Sequence, residues 1–315
     1  MIRVGSSLTD ATYEAAVLGG IEAGDFNATF AEIQSQVGDH SATLRVFADA
    51  LKMDVEYKDA TGATKQALGV RIAVSARLEQ QIADVMGCLL LTTRIAGLRY
   101  GARGVTIPPF PLGVLAMGTV QRMVLESQKI DVAVGVAGGA ERGIIVGTTG
   151  KDWILDNLLL EYPRTAINFG WFLPLGTPSP WEGIPLHLAP GHTAMLIQPA
   201  SWAHDSAHAD YSQQVCLVDK ICRVDDQTRL LADVLTDPIL SALVSYEGPL
   251  KLLRQPGVPE LVQPPTVRPA PPGAATIALM GVGATLGGVL AGTPGAVVGG
   301  ALGWAGDAVR RKMLT

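Results

Sequence analysis

The chain has 315 residues, of which 48% are hydrophobic and only 17% charged, with 24 Lys and Arg against 29 Asp and Glu. That apolar share excludes wholesale disorder, and a formal net charge of −5 gives no general electrostatic reason to bind nucleic acid. Three cysteines, Cys88, Cys216 and Cys222, lack CxxC spacing, which argues against a disulfide framework or a zinc knuckle and for buried thiols.

Residues 1–15 carry Arg3, Asp10 and Glu14 with no long apolar core, so they do not read as a secretory signal peptide. Cytoplasmic synthesis followed by association with a virion or an envelope is the expected route. Residues 8–37 predict two short helices: Thr9 or Asp10 caps the first, Gly24-Asp25-Phe26-Asn27 breaks it, and Asn27 caps the second. The alternating segments 41–50 and 53–76 predict strands, with a turn at Asp59-Ala60-Thr61-Gly62. Leu78, Ile82, Val85 and Met86 recur at helical spacing within 76–87, and Gly87 stops that helix. Pro108, Pro109 and Pro111 force an extended loop over 105–112, and a second helix is expected over 116–128.

Beyond the loop at Gly138-Gly139, Ile144-Ile145-Val146 predicts a buried strand. Residues 165–200, rich in Pro, Gly and Trp, are expected to be mostly irregular. The stretch 214–226 reads as a hairpin, and 230–237 and 240–248 as a short helix pair or turns. Prolines at 256, 259, 264, 265, 269, 271 and 272 make 254–273 a stiff linker. The expected fold is thus an α+β body over 1–253, one domain with a single mixed or antiparallel sheet and helices on one side.

The tail, 274–315, has a different character. No charged residue occurs from Pro269 to Gly306, and glycines recur four apart at Gly283/Gly287, Gly288/Gly292 and Gly295/Gly299/Gly303. On a helix that spacing forms a stripe without side chains, along which two backbones approach closely. In water each such glycine costs a helix about 0.8–1 kcal/mol relative to Ala, a penalty that a water-free setting offsets. Residues 274–291 are long enough to cross a bilayer, which takes about 17–25 residues, whereas 295–306 are too short alone. An apolar helical hairpin bent at Thr293-Pro294 is expected, with Arg310, Arg311 and Lys312 at an anionic surface. It inserts in a membrane or packs onto the body or other copies; both readings stand, and 274–306 is the expected partner-binding segment.

Apart from His40, the histidines fall within a short span: His187, His192, His204 and His208, accompanied by Asp205 and Asp210. His204 and His208 have the i, i+4 spacing with which a helix grips zinc, but HExxH is missing. Zinc held by His187, His192 and His208 is the one cofactor considered, against ordinary loop polarity. There is no GxSxG, no P-loop and no GxGxxG, and the segment 147–152 lacks the Walker spacing. Cys216 with His204 or His208 offers a nucleophile and base, against the alternative of a buried structural cysteine.

Several short motifs carry a resemblance. Gln81-Ile82-Ala83-Asp84 with Gly87-Cys88, then Lys151-Asp152, Phe169-Gly170-Trp171, His204 with Asp210-Tyr211-Ser212, and Glu247-Gly248 follow one another in a familiar order. Through them residues 44–250 resemble a group of uncharacterised bacterial and phage-encoded proteins, often secreted, with GHKKD-, YGWH- and DYSH-type motifs. The resemblance implies a hydrolase of cell-wall or other extracellular polymer. It implies catalytic roles for His204, Asp210, Ser212, Lys151 and Asp152, and substrate contacts for Trp171, Tyr211 and Trp181. Yet Thr149, Phe172 and Gln213 stand where the pattern has histidine, and none of them shuttles protons near neutral pH.

Trp153, Trp171, Trp181 and Trp202 fall in this same region, as loop anchors or as the lining of a groove for a sugar or peptide. The leading expectation is a structural or envelope-associated protein, phage-borne, with a degenerate hydrolase-like body and a membrane-inserting or self-assembling tail. The alternative is an active peptidoglycan hydrolase, using His187, His192, His204, His208 and Asp210, that its tail delivers to the envelope. A third possibility is a pore-former acting through the tail alone.

Overall fold

The computed structural model describes residues 1–113, 115–138, 143–179, 185–191 and 193–260. After strand β1 (Ile2–Arg3), helix α1 (Ala11–Glu22) begins where Asp10 supplies a cap, its carboxylate accepting from the Thr12 amide at 2.8 Å. The second predicted helix is instead a strand. β2 (Phe30–Val37) pairs with β3 (His40–Phe47) along its whole length, from Phe30 opposite Phe47 to Val37 opposite His40. Ile33 and Ser35 face inward between exposed Glu32, Gln34 and Gln36, a period of two that outweighs the capping potential of Asn27.

β4 (Lys52–Lys58) and β5 (Thr64–Arg71) form the expected hairpin, its turn tied by Asp59 Oδ1 accepting from Thr61 N and Ala63 N. α2 (Ala76–Met86) is capped by Ser75 and stops at Gly87, whose φ of +64° suits a residue without Cβ. Next come β6 (Cys88–Leu90), α3 (Thr93–Gly101), which no sequence signal announced, and β7 (Val105–Thr106). α4 (Val120–Val136) starts at its Thr119 cap rather than at 116 and runs past 128, since nothing breaks it before Gly138.

β8 (Val146–Gly147) and β9 (Lys151–Ile154) lead into a 3-10 turn at Asn157–Leu160. The predicted irregular region holds the longest strands, β10 (Thr165–Pro174) and β12 (Ala194–Asp205), with β11 (His187–Leu188) between them in sequence. The residues that suggested loops are placed where strands tolerate them. Pro174 ends β10, and Pro199 lies where the β10–β12 register slips between Gly170↔Gln198 and Asn168↔Ser201.

β13 (Leu217–Asp219) and β14 (Ile221–Val224) do not pair with each other as predicted; both lie against β3. The hairpin joins β14 to β15 (Gln227–Leu230) through Asp225 and Asp226, at φ +48° and +62°, the two-residue turn that suits strand twist. α5 (Leu231–Thr236) and a 3-10 turn at Leu240–Leu243 follow.

The α+β class holds. Instead of a single sheet, the strands form ladders of order β1-β4-β5, β11-β12-β10-β9, β15-β14-β3-β13-β6 with β2 also on β3, and β7-β8. The first three share one apolar core, which takes in Leu8, Phe47, Leu78, Trp153, Phe169 and Leu235, whereas Val105 of β7 and Val146 of β8 pack with Ile107 and Ile130 in a second, smaller cluster. Residues 254–260 of the predicted linker dock on α2: Arg254 Nη2 meets Asp84 Oδ2 at 2.9 Å, and Gln255 N donates to Gln80 Oε1 at 2.9 Å. The remainder of that linker and the predicted hairpin tail lie outside the described residues. Among the described residues no helix is long and apolar enough to cross a membrane.

Arg71, only 1% exposed, ties β5 to its surroundings. Its Nε and Nη2 donate to the two Asp49 oxygens at 2.8 and 2.7 Å, and Nη1 donates to Asp131 Oδ1 on α4 at 2.6 Å. Burial opposes the Asp49 charge, but Arg71 and Lys52 prevail and pull its carboxyl down to about 2. Removing one partner of such a buried pair leaves the other uncompensated. Arg71→Met is therefore expected to cost about 3 kcal/mol in a urea unfolding titration.

Candidate functional site

The candidate site is organised around β9. Gly150 precedes it, and a Cβ there would come within 2.5 Å of Ser212 O, so only glycine admits the close approach of the segment 212–214. Lys151 N donates to Ser212 O at 2.6 Å, and Gln214 N donates to Lys151 O at 3.2 Å. On the other side β10 pairs antiparallel, with Gly170 opposite Lys151 and Asn168 opposite Trp153. At Gly170 a Cβ would meet Gly150 O at 3.1 Å, and the next residue, Trp171, is held at φ +53°. A bulky residue in that region is strained, and such strain gathers at functional sites.

Asp210 is the hub. Its Oδ2 accepts from Lys151 Nζ at 2.9 Å; its Oδ1 accepts from Ser212 N at 2.8 Å and from Ser212 Oγ at 2.5 Å. Asp210 N in turn donates to Gln213 Oε1 at 2.7 Å, closing the turn 210–213. Burial pushes this carboxyl upward, but the Lys151 ammonium and the two Ser212 donors outweigh it and hold it well below the usual carboxylate range. Lys151 Nζ also lies 5.2 Å from the centroid of the Trp171 ring, within cation–π range.

His204 and His208 border this hub. Their rings stack at 4.0 Å with planes 7° apart, and Trp153 meets His204 edge-on at 6.3 Å. Burial, with help from the nearby His208 and Lys151, lowers His204 to about 4, so its imidazole is neutral at pH 7. His208 Nε2 is 3.8 Å from Asp210 Oδ2, beyond hydrogen-bond length. The two imidazoles lie at the end of β12 and in the turn after it rather than on a helix, so the i, i+4 zinc geometry does not arise.

Two carboxyls that the motifs did not include join the cluster. Glu126 on α4 accepts from Gln214 Nε2 at 3.0 Å, and burial together with Asp210 raises it well above the ordinary value. Glu79 on α2 accepts from Cys216 N at 3.2 Å and is raised by burial and by Asp152. Asp152 is pushed up to about 6 by burial, with Arg99 and the Cys216 thiol opposing. Burial raises the Cys216 thiol well above its usual range, which makes thiolate formation costly. Both glutamates were within reach of sequence reasoning. Glu79 falls three residues before Ile82, and Glu126 three after Met123 and four before Ile130, so each lies on an apolar helical face.

The remaining candidates are dispersed. Ser212 is fully buried and donates its proton to Asp210. Tyr211 is a buried strut, its OH accepting from Leu112 N at 2.6 Å and its amide donating to Met117 O at 2.9 Å. His187 is exposed on β11, opposite Leu196. Trp181 and His192 lie outside the described residues. Among the described residues no three His, Cys, Asp or Glu side chains converge to hold a metal ion. Thr149 and Gln213 are buried, as is Phe172, which stacks on Tyr100 at 4.8 Å.

No family model, curated protein or solved structure matches the chain.

The cluster holds opposite pH dependences. For Asp152 the folded value of about 6 exceeds an unfolded value of about 3.9, so the folded state binds more protons. Its stabilising contribution is complete below about pH 4 and is lost as pH rises through 6. Asp210 has the opposite sign: its contribution is present above about pH 4 and is lost as pH falls. Asp152→Asn is expected to remove the decline between pH 4 and 6. Relative to the parent chain it should gain about 3 kcal/mol between pH 4 and pH 8, read from urea titrations at each pH.

Proposed function

We propose that this protein is a structural, envelope- or virion-associated component whose hydrolase-like body serves docking rather than cleavage, with the apolar segment 274–306 engaging a membrane or another copy. One observation carries this reading. Lys151, Asp152, Asp210 and Ser212 are at most 6% exposed, and the hydrogen bonds of Asp210 are taken up by Lys151 and Ser212. A hydrolase needs a nucleophile or a water-activating base within reach of its substrate. Here the serine hydroxyl and the lysine ammonium are both spent on the same buried carboxylate. The motif residues serve the fold, and the tail supplies the attachment.

A second reading, an active peptidoglycan hydrolase, draws support from His204 and His208. They are the half-exposed members of the cluster, His204 is neutral at pH 7, and Asp210 stands behind His208. The two readings differ in what the full-length protein does to murein. The docking reading expects no clearing on murein zymograms and co-flotation with anionic phospholipid vesicles, the latter lost when a charge enters the tail in Leu286→Arg. Clearing bands that disappear in His204→Ala would establish the hydrolase in its place. Absence of both flotation and concentration-dependent cross-linking would overturn the anchoring role.

A further inference from the structure

We propose that the stacked rings of His204 and His208 form a proton-operated cover over the Lys151–Asp210 hub, which opens when His204 takes up a proton. The inference concerns access to the hub alone, so it stands apart from the docking and hydrolase readings. Ala166 lies opposite His204, and Asn168 opposite Trp153, so His204, Trp153 and Asn168 rise from one face of the β9-β10-β12 ladder. Lys151 precedes Trp153 by two residues and shares that face. His208 stacks on His204 from the turn after β12, with its Nε2 3.8 Å from Asp210 Oδ2. Lys151, Asp210, Ser212 and Asn168 are buried, whereas the two imidazoles are half-buried. The stack is therefore the layer between solvent and the ion pair.

The closed arrangement carries a cost that opening relieves. Among the described residues, Asn168 Nδ2 and Oδ1, Gln213 Nε2, Trp171 Nε1 and His208 Nε2 are buried without a hydrogen-bond partner. Gln213 belongs to the hub through its bond from Asp210 N, and the Trp171 ring lies beside Lys151 Nζ. Buried donors and acceptors left unpaired are costly, and water admitted by opening would satisfy them. The covering turn is free to move between two fixed ends. Ser206 N donates to Arg164 O at 3.2 Å and Ser206 O accepts from Arg77 N at 3.0 Å, while Tyr211 N donates to Met117 O at 2.9 Å. Between them Ala207 N and His208 N bond back to Asp205, at 2.8 and 3.2 Å.

The charges around the stack set its response to acid. Lys151 of β9 and His208 oppose a proton on His204, whereas Asp210 and Asp205 favour it. Arg77 of α2 has its guanidinium engaged by Glu14 at 2.8 Å, and Glu126 of α4 is driven toward its neutral form. Burial, then His208 and Lys151, outweigh the carboxylates and lower His204 from its ordinary 6.5 to about 4. Swung into solvent, the same imidazole regains its ordinary basicity. The open form thus binds a proton that the closed form refuses. The advantage of the closed form is complete above about pH 6.5 and is lost as pH falls toward 4.

The test is hydrogen exchange read by mass spectrometry on the full-length protein, corrected for the chemical exchange rate at each pH. In peptides covering 203–213 the opening constant is expected to rise about tenfold per pH unit between pH 6.5 and 4, roughly 300-fold in all. Peptides from the β2–β3 ladder should keep their protection over that range. Exchange of the imidazole C2 proton should place His204 near 4 in the folded chain. His204→Phe keeps a stacking ring that binds no proton, so its opening should not depend on pH. His208→Gln removes an opposing neighbour, so His204 should titrate about one pH unit higher and the range of the effect should shorten. This second variant keeps the test decisive if the first fails to fold. The proposal is overturned if His204 titrates near 6.5 in the folded protein, if opening at 203–213 ignores pH, or if His204→Phe opens as the parent does. Loss of β2–β3 protection in step with 203–213 would overturn it too, since the whole body would then be unfolding.

Discussion

The structure depends on one buried ion pair, Lys151 with Asp210. Removing two charges from water costs several kcal/mol per ion, and their attraction repays this only when geometry and the surrounding hydrogen bonds are nearly complete. That requirement fixes the neighbourhood. Asp210 must accept from Ser212 twice, so the turn 210–213 is set. Lys151 must lie against that turn, so position 150 has to be glycine. β10 must cross close to Gly150, so Gly170 follows, and Trp171 is driven into a left-handed backbone conformation. The conformation of the chain around β9 is thus one consequence of burying a single ammonium beside a single carboxylate.

The other buried carboxyls are accommodated by a different means. Among the described residues Glu79 and Glu126 have no cationic partner bonded to them, and burial shifts them toward the protonated form. A neutral carboxyl costs far less to bury than an ion and still offers a donor and an acceptor. Arg71 with Asp49 and Asp131 represents the third solution, a guanidinium shared between two carboxylates nearer the surface. The body therefore buries many polar groups yet leaves few isolated charges.

Local chemistry made much of this legible. The Asp10 cap, the Asp59–Gly62 turn and the stop at Gly87 are read correctly because caps and turns depend on neighbours in sequence. The errors arise where partners are distant. β2 shows alternation, but a strand is realised only by β3, and the Asn27 capping signal competes with it. β10 and β12 contain Pro174, Gly170 and Pro199, which read as breakers until bulged pairing gives each a permitted place. In the site, spacing grouped Lys151, Asp210 and Ser212 through motifs, and the structure brings those three into contact. Spacing could not show that Tyr211 and Trp171 face inward, or that Trp202 would meet Tyr162, a residue no motif contains.

The placements around Asp210 separate what holds the shape from what meets solvent. Lys151 and Ser212 bond to Asp210, whereas His208 Nε2, Gln213 Nε2 and both polar atoms of the Asn168 side chain find no hydrogen-bond partner among the described residues. The hub answers to stability, because loss of Lys151 or Asp210 would strand a buried charge. Tyr162 and Trp202 answer to no such constraint: their rings stack on each other at the surface, 42% and 40% exposed.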